Sequence, residues 1–356
     1  MEIGSEFHQN SNPFGVNRYK DLCGEKHEKM YMSFGRECLT VIAQDMKKKR
    51  KAKMVALPEY CCSSMIIPFI ENNMQVVFYS ISSFNAIEVT DMFEKEIWEA
   101  DAVLLMDYFG FVRVVASKLF EIAQSAGKLI IVDATQTAFS KTDLYHNADY
   151  VFASYRKWAD VLCSVLYCKN GLAERGILTV NSAYENAWRE AAKIKAEYIM
   201  GKALKKRSFL EKYNFANDLI SLKNNLHTPS EAEIYRFENM NSDFLIQRRR
   251  NNAVSLLTKA KLIDGVELIF DVLGEEDCPL FLPVLIPSKQ RGAVHSYMVS
   301  KDIYCPIHWP VDNSYCRKSK WHESELSLIC DQRYGKDEIA YELDVLASAV
   351  GGRQER

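Results

Sequence analysis

Glycine is scarce in this chain. Only 15 of the 356 residues are glycine, about 4% where globular proteins average about 7%. They are also scattered. No G-x-G-x-x-G run occurs, and the single G-x-x-x-x-G pair, Gly171 and Gly176, is followed by Ile177 in place of a lysine. Rossmann dinucleotide sites and P-loops need clustered glycines to bring backbone amides against phosphate. Both are excluded, and any phosphate must be held by another device. An excess of one charge is lacking too. With 45 basic and 47 acidic residues, a net charge of −2 and a pI near 6.4, the chain carries no basic footprint for nucleic acid. No apolar stretch approaches the roughly 18 residues that span a bilayer. The opening MEIGSEFHQN is acidic and polar where a signal peptide needs a basic start and an apolar core. The ten cysteines form no C-x-x-C pair and many sit inside apolar runs. They read as buried, reduced thiols, and the expectation is a cytoplasmic protein with neither a nucleic-acid nor a membrane partner.

What is present is enough apolar sequence, 48% of residues beside 26% charged, for a sizeable core and about two domains. From residue 36 to about 170, short apolar runs alternate with amphipathic segments. Strands are predicted at Met54–Leu57, Gln75–Tyr79, Ala102–Met106, Leu129–Val132, Tyr150–Ala153 and Val161–Cys168, and helices at Arg36–Lys49, Ser63–Asn72 and Val114–Ala126. Such alternation specifies an α/β fold with a mainly parallel sheet covered on both faces. Residues 180–260 are polar and helical. A second α/β segment follows, with strands through Leu280–Ile286, Ile303–Pro306 and Leu326–Ile329 and helices through Gly292–Val299 and Glu338–Val350. The expected division is a large domain over 1–240 and a smaller C-terminal α/β domain over 241–356. The tail after Gly351 reads as frayed.

The chemistry concentrates between residues 128 and 158. In KLIIVDATQT a buried β-branched run ends in Asp133, with Gln136 three residues on. Ligands of open α/β sheets bind beyond the carboxyl ends of the strands, which places Asp133 at a site rim. The next predicted strand ends in Ser154-Tyr155-Arg156-Lys157-Trp158. Adjacent strands lie about 4.8 Å apart, so Asp133 and Lys157 can face one crevice with a hydroxyl beside them. Pyridoxal phosphate (PLP) needs that arrangement: a lysine amine to carry it and a carboxylate to keep its ring nitrogen protonated. Taken singly, the aspartate reads as a helix cap and the lysine as a solvated side chain; the joint pattern favours the cofactor. Ser154-x-x-Lys157 also fits the S-x-x-K of serine acyl enzymes. Their further elements are matched only by Ser242-Asp243-Phe244 and Lys141-Thr142-Asp143.

These residues resemble the fold-type I PLP enzymes of the aspartate aminotransferase superfamily, and within them the DegT-type sugar aminotransferases. Ser33-Phe34-Gly35-Arg36-Glu37-Cys38-Leu39 is similar to the family's phosphate loop at a helix start. Leu57-Pro58-Glu59-Tyr60-Cys61-Cys62 resembles the strand end near the cofactor ring, and Tyr108-Phe109-Gly110 the turn after the fourth strand. Asp133-Ala134-Thr135-Gln136 matches D-x-A-Q, Lys157 the Schiff-base lysine, and Gln247–Ala253 the R-R-x-x-A helix. The resemblance covers nearly the whole chain and implies a three-layer aspartate-aminotransferase-like large domain with a mixed, mainly parallel sheet. It implies that Gly35, Arg36 and Glu37 offer backbone amides to the phosphate, joined by the Ser154 hydroxyl. Gln136 would meet the ring's 3-oxygen, and Tyr60 or Tyr108 would stack on the ring. Three positions depart from the pattern. Cys62 stands where the stacking aromatic is expected, Arg36 replaces a small hydroxyl residue, and Trp158–Ser164 replaces a glycine-rich stretch after the lysine.

The expected activity is amino transfer from glutamate or glutamine to a nucleotide-linked keto sugar in polysaccharide or natural-product assembly, by a homodimer. A PLP-dependent lyase, decarboxylase or aldol-type enzyme, and a non-catalytic regulatory homologue, are the alternatives. His308, Trp309 and Arg333 are the expected substrate contacts. The basic run Lys47–Lys53 reads as a helix end rather than a nucleic-acid patch. Cys305, His308, Cys316 and His322 have zinc-ligand chemistry but irregular spacing, and no metal is expected.

Overall fold

The alternation in the sequence resolves into one seven-stranded sheet flanked by helices. The computed structural model describes residues 2–84, 95, 97–202, 205–221, 226–309, 311 and 319–352. The sheet strands are β1 (Glu28–Met32), β2 (Met54–Pro58), β3 (Gln75–Tyr79), β4 (Ala102–Leu105), β5 (Leu129–Asp133), β6 (Tyr150–Ser154) and β7 (Ser164–Cys168). Their order is β1-β7-β6-β5-β4-β2-β3. Strands β2 to β6 run parallel, and β7 is antiparallel to both β6 and β1. Every residue of β4, β6 and β7 is buried, which is why these strands read as continuous apolar runs rather than alternating ones.

Helices α1 (Gly35–Arg50), α2 (Ser63–Glu71) and α3 (Val114–Ser125) lie among these strands in the chain. Helices α4 (Ser182–Ile199) and α5 (Lys206–Asp218) then pack Tyr184, Trp188, Phe209 and Tyr213 into a second cluster that reaches Phe34 and Leu162. The following helices start where their sequence says they should: Ser230 caps α6 (Glu231–Glu238) by accepting the Glu233 N–H, and Asn241 caps α7 (Ser242–Ala260) by accepting that of Phe244. A three-stranded antiparallel sheet follows, β8 (Glu267–Leu268), β9 (Leu282–Leu285) and β10 (Glu325–Leu328), in that order. Helices α8 (Ser288–Ser300) and α9 (Lys336–Gly351) complete the chain, and one hydrophobic cluster runs through both sheets.

Three expectations are corrected. Strand β1 lies ahead of the region read as α/β; its EKMYM sequence is charged and only half buried because it forms the edge beside β7. The strand expected from Val161 begins at Ser164, since the Leu162 N–H is drawn to Glu233 Oε2 at 3.0 Å. The strand expected at Ile303–Pro306 is a two-residue pairing of Ile303 and Tyr304 with Ile3 and Gly4. The basic run behaves as a helix end: Lys49 pairs with Asp45 at 2.9 Å, and Lys51 closes α1 in the left-handed region with φ of 54°.

Candidate active site

Two neighbouring strand ends define the site. Asp133 closes β5 beside Phe152 of β6, and Ser154 closes β6. Beyond Ser154 the chain makes one tight helical turn, Tyr155–Lys157, which delivers Lys157 to the same rim. Thr135 ties the two ends together. Its N–H donates to Asp133 Oδ1 at 2.8 Å, its Oγ1 accepts the Ser154 N–H at 3.2 Å, and its carbonyl accepts Trp158 Nε1 at 2.7 Å. A cavity of about 360 Å³ opens against Asp133, Thr135, Gln136, Ser154, Arg156 and Lys157. Gly35 and Arg36 from the start of α1 and Cys62 from the residue capping α2 line the same space; Phe281, His308 and Trp309 line it from the C-terminal part of the chain.

The electrostatics are those of an anion site with one carboxylate. Burial pushes the Asp133 carboxyl up to about 6, opposed by its hydrogen bonds to Thr135. Burial, then the charge of Arg156, holds the Lys157 amine below the usual lysine range. Arg36 is depressed for the same two reasons, burial first and Arg156 second. Arg156 is fixed over the rings of Trp188 at 5.4 Å and Phe34 at 5.9 Å. Nearby, Phe34 precedes α1 without a side-chain cap, so the positive end of a 16-residue helix faces the cavity at Gly35. Ser154 Oγ accepts from Ser164 Oγ at 3.1 Å, and Gln136 Oε1 accepts the Phe109 N–H at 2.5 Å. Gln136 thus commits its carbonyl to the backbone, and its amide donors have no partner among the described residues.

Four residues singled out in the sequence stand elsewhere. Glu37, expected to offer its backbone amide, does not line the cavity: that N–H bonds the Phe34 carbonyl at 3.1 Å, and its side chain turns to His227, Oε1 to Nδ1 at 2.7 Å. Tyr60 is fully buried behind the cavity wall; its hydroxyl donates to the His308 carbonyl and its ring packs on Trp309 at 5.0 Å. Tyr108 donates to the Tyr60 carbonyl at 2.8 Å, one layer further back. The wall position next to α2 belongs to Cys62, whose Sγ lies 2.9 Å from Ser64 Oγ. Arg333 is held by Asp331 at 2.7 Å and covers Phe7 at 4.3 Å, outside the cavity. Cys305 donates its thiol to Glu342 at 3.2 Å. Cys316 lies outside the described residues, among which no group of three His, Cys, Asp or Glu side chains is placed to hold a metal. Sequence reasoning missed Thr135 and Arg156 as wall residues, although both lie inside the motifs it used.

This architecture recurs among solved structures. The chain aligns over 99% of its length, and 99% of the other, with a putative sugar aminotransferase from Streptococcus pneumoniae, Spr1654 in its PLP form, at a TM-score of 0.66 and 10% identity. The fold is that of the sugar aminotransferases. Helicobacter pylori PseC, an aminotransferase involved in the biosynthesis of pseudoaminic acid, matches at a TM-score of 0.63 with 10% identity, over 98% of this chain and 94% of that one. The aminotransferase TlmJ from Streptoalloteichus hindustanus gives 0.63 and 12%, over 91% and 86%. No family model and no curated protein sequence matches the chain. The sugar-aminotransferase fold is therefore carried here by a sequence only 10–12% identical to these neighbours. No described helix is long and apolar enough to cross a membrane.

Proposed function

We propose that the protein is a PLP-dependent aminotransferase that moves an amino group from glutamate or glutamine to a nucleotide-linked keto sugar. The observation that carries this reading is the convergence of Asp133 and Lys157, from adjacent strand ends, on one cavity that also receives the start of α1. The residues suit the cofactor's groups. Asp133 is a buried carboxylate that a protonated ring nitrogen would match. The backbone at Gly35 and Arg36, the Ser154 hydroxyl and the Arg36 and Arg156 guanidinia suit a phosphate. When bound, PLP supplies an electron sink for the carbon–nitrogen chemistry.

The chain's own residues would do the rest. Lys157 is the amine that attaches the cofactor, and its depressed basicity leaves it free to take and return a proton at the reacting carbon. Asp133 would hold the charge of the ring nitrogen. Gln136 would hold the ring through its amide, and Cys62 would offer a small thiol where the resemblance leads one to expect an aromatic side chain. The sugar acceptor and its place in polysaccharide or natural-product assembly are inferred from the neighbours' described roles. A homodimer in the cytoplasm, with the domain division near residue 240, is part of the same proposal. Purified protein incubated with PLP is expected to develop the long-wavelength band of a lysine-bound cofactor, absent in Lys157→Ala. Glutamate should bleach that band and release 2-oxoglutarate. A wild-type protein that takes up no PLP at saturation refutes the reading; uptake without any half-reaction favours a lyase-type reaction.

A further inference from the structure

The cavity that receives Lys157 is also lined by a histidine that is itself held. His308 Nδ1 lies 3.0 Å from Ser327 Oγ, and Ser327 Oγ lies 2.5 Å from Glu325 Oε1. The second oxygen of the same carboxylate, Oε2, accepts the backbone N–H of His308 at 2.7 Å. Glu325 and Ser327 are both 0% exposed, on the same face of β10 two residues apart. The direction of this chain follows from its acceptor. A carboxylate only accepts, so the Ser327 hydroxyl donates to Glu325, and its oxygen then accepts the proton on His308 Nδ1. That fixes the ring as the Nδ1–H tautomer, with a lone pair on Nε2. Phe109, Phe281 and Trp309 pack around the imidazole at 5.5, 5.2 and 5.4 Å. Nε2 has no hydrogen-bond partner among the described residues, and His308 lines the cavity, so Nε2 is the ring atom left to meet a ligand.

We propose that Ser327 and Glu325 are positioning residues for His308, and that His308 Nε2 takes a proton from the ammonium group of the amino donor. The proposal rests on the aminotransferase reading above. An amine must shed its proton before it can act as a nucleophile. The N–H bond of the ammonium breaks, the proton passes to Nε2, and the electron pair stays on the donor nitrogen. The resulting imidazolium donates at both nitrogens, and its charge is met by Glu325 through Ser327, the role a buried carboxylate plays for a catalytic histidine. Lys157 would then serve the carbon proton alone.

Long-range 1H–15N NMR on protein labelled at histidine, assigned with His308→Asn, tests the arrangement with or without PLP. The expected result is the Nδ1–H tautomer for His308, converted to Nε2–H in Ser327→Ala. Stopped-flow mixing of PLP-loaded protein with glutamate should then show the half-reaction about 10–100-fold slower in Ser327→Ala and Glu325→Gln, with PLP uptake unchanged. Ser327→Thr, which keeps the hydroxyl, should restore both tautomer and rate. An Nε2–H tautomer in the wild-type protein overturns the proposal. So does a Ser327→Ala variant that switches tautomer yet reacts within about twofold of wild type. Failure of the wild type to take up PLP, with the Nδ1–H tautomer intact, would refute the aminotransferase reading and remove the donor, and the proton-taking role falls with it.

Discussion

The cavity has two walls built on opposite principles. One comes from consecutive strand ends of the parallel sheet, where Asp133, Ser154 and Lys157 lie within 25 residues of chain. Among the described residues, none of Arg36, Arg156, Lys157 and Asp133 forms an ion pair, although Glu6 lies near enough to act on Arg156 and Lys157; the wall is electrostatically unfinished. The other wall, His308 with Trp309 and Phe281, is braced from behind. Ser327 and Glu325 hold the His308 Nδ1 and backbone N–H, aromatic rings enclose the imidazole, and Nε2 is the one ring nitrogen left open. A wall with unmet charge is built to receive a charged ligand. A wall whose histidine is paired on all but one nitrogen is built to hold that side chain still and present the remaining atom.

That contrast can be broken by substitution. Lys157→Ala should abolish cofactor attachment and amino transfer outright, whereas His308→Asn should slow the reaction about 100-fold and leave attachment intact; absorbance and half-reaction rates separate the two. Arg249→Met comes next. The Arg249 guanidinium is 1% exposed and donates to Gln332 Oε1 and the Leu280 carbonyl at 2.9 Å, and to the Pro279 and Trp158 carbonyls at 3.3 Å. Its loss strands those oxygens and should cost about 3–5 kcal/mol in denaturant unfolding. Arg36→Ala or Arg156→Ala should weaken PLP binding about 10-fold or more, measured by equilibrium titration, the loss shrinking as salt is raised.

The smallest effect is on pH dependence. Burial raises the Asp133 carboxyl to about 6 in the folded chain, against about 3.9 unfolded. The folded state therefore holds this proton more tightly, and the stability that gives is present at low pH and lost as pH rises through about 4 to 6. Asp133→Asn should accordingly stabilise the cofactor-free protein near pH 8 relative to wild type, and do so less near pH 4, by thermal melting. The same substitution should weaken PLP binding. Equal effects at both pH values would mean that Asp133 is not an uncompensated charge in the empty wall.

Much of the first wall was legible because a strand that ends in a polar residue announces itself. Asp133 follows four apolar residues, and Lys157 follows a strand and one turn. Arg156 escaped notice beside Lys157 because its role depends on Trp188 and Phe34, which no spacing rule brings to it. Tyr60 or Tyr108 was expected at the ring from the family resemblance, with Cys62 at the aligned stacking position; Cys62 lines the wall, and the tyrosines are backing. The second wall was nearly invisible. His308 could be named, but Glu325 and Ser327 sit in ELSL, a sequence that reads as an ordinary short strand, and only the pairing of distant segments turns them toward His308.

Arg249 has a mechanical meaning beyond its contribution to stability. It reaches from α7 to the carbonyl of Trp158, the residue after Lys157, while Gln332, just past β10, donates to the same carbonyl at 2.7 Å. The lysine's turn and the segments flanking the C-terminal sheet are thereby stitched together at a single backbone oxygen. Any movement that parts them must first break both of these buried hydrogen bonds.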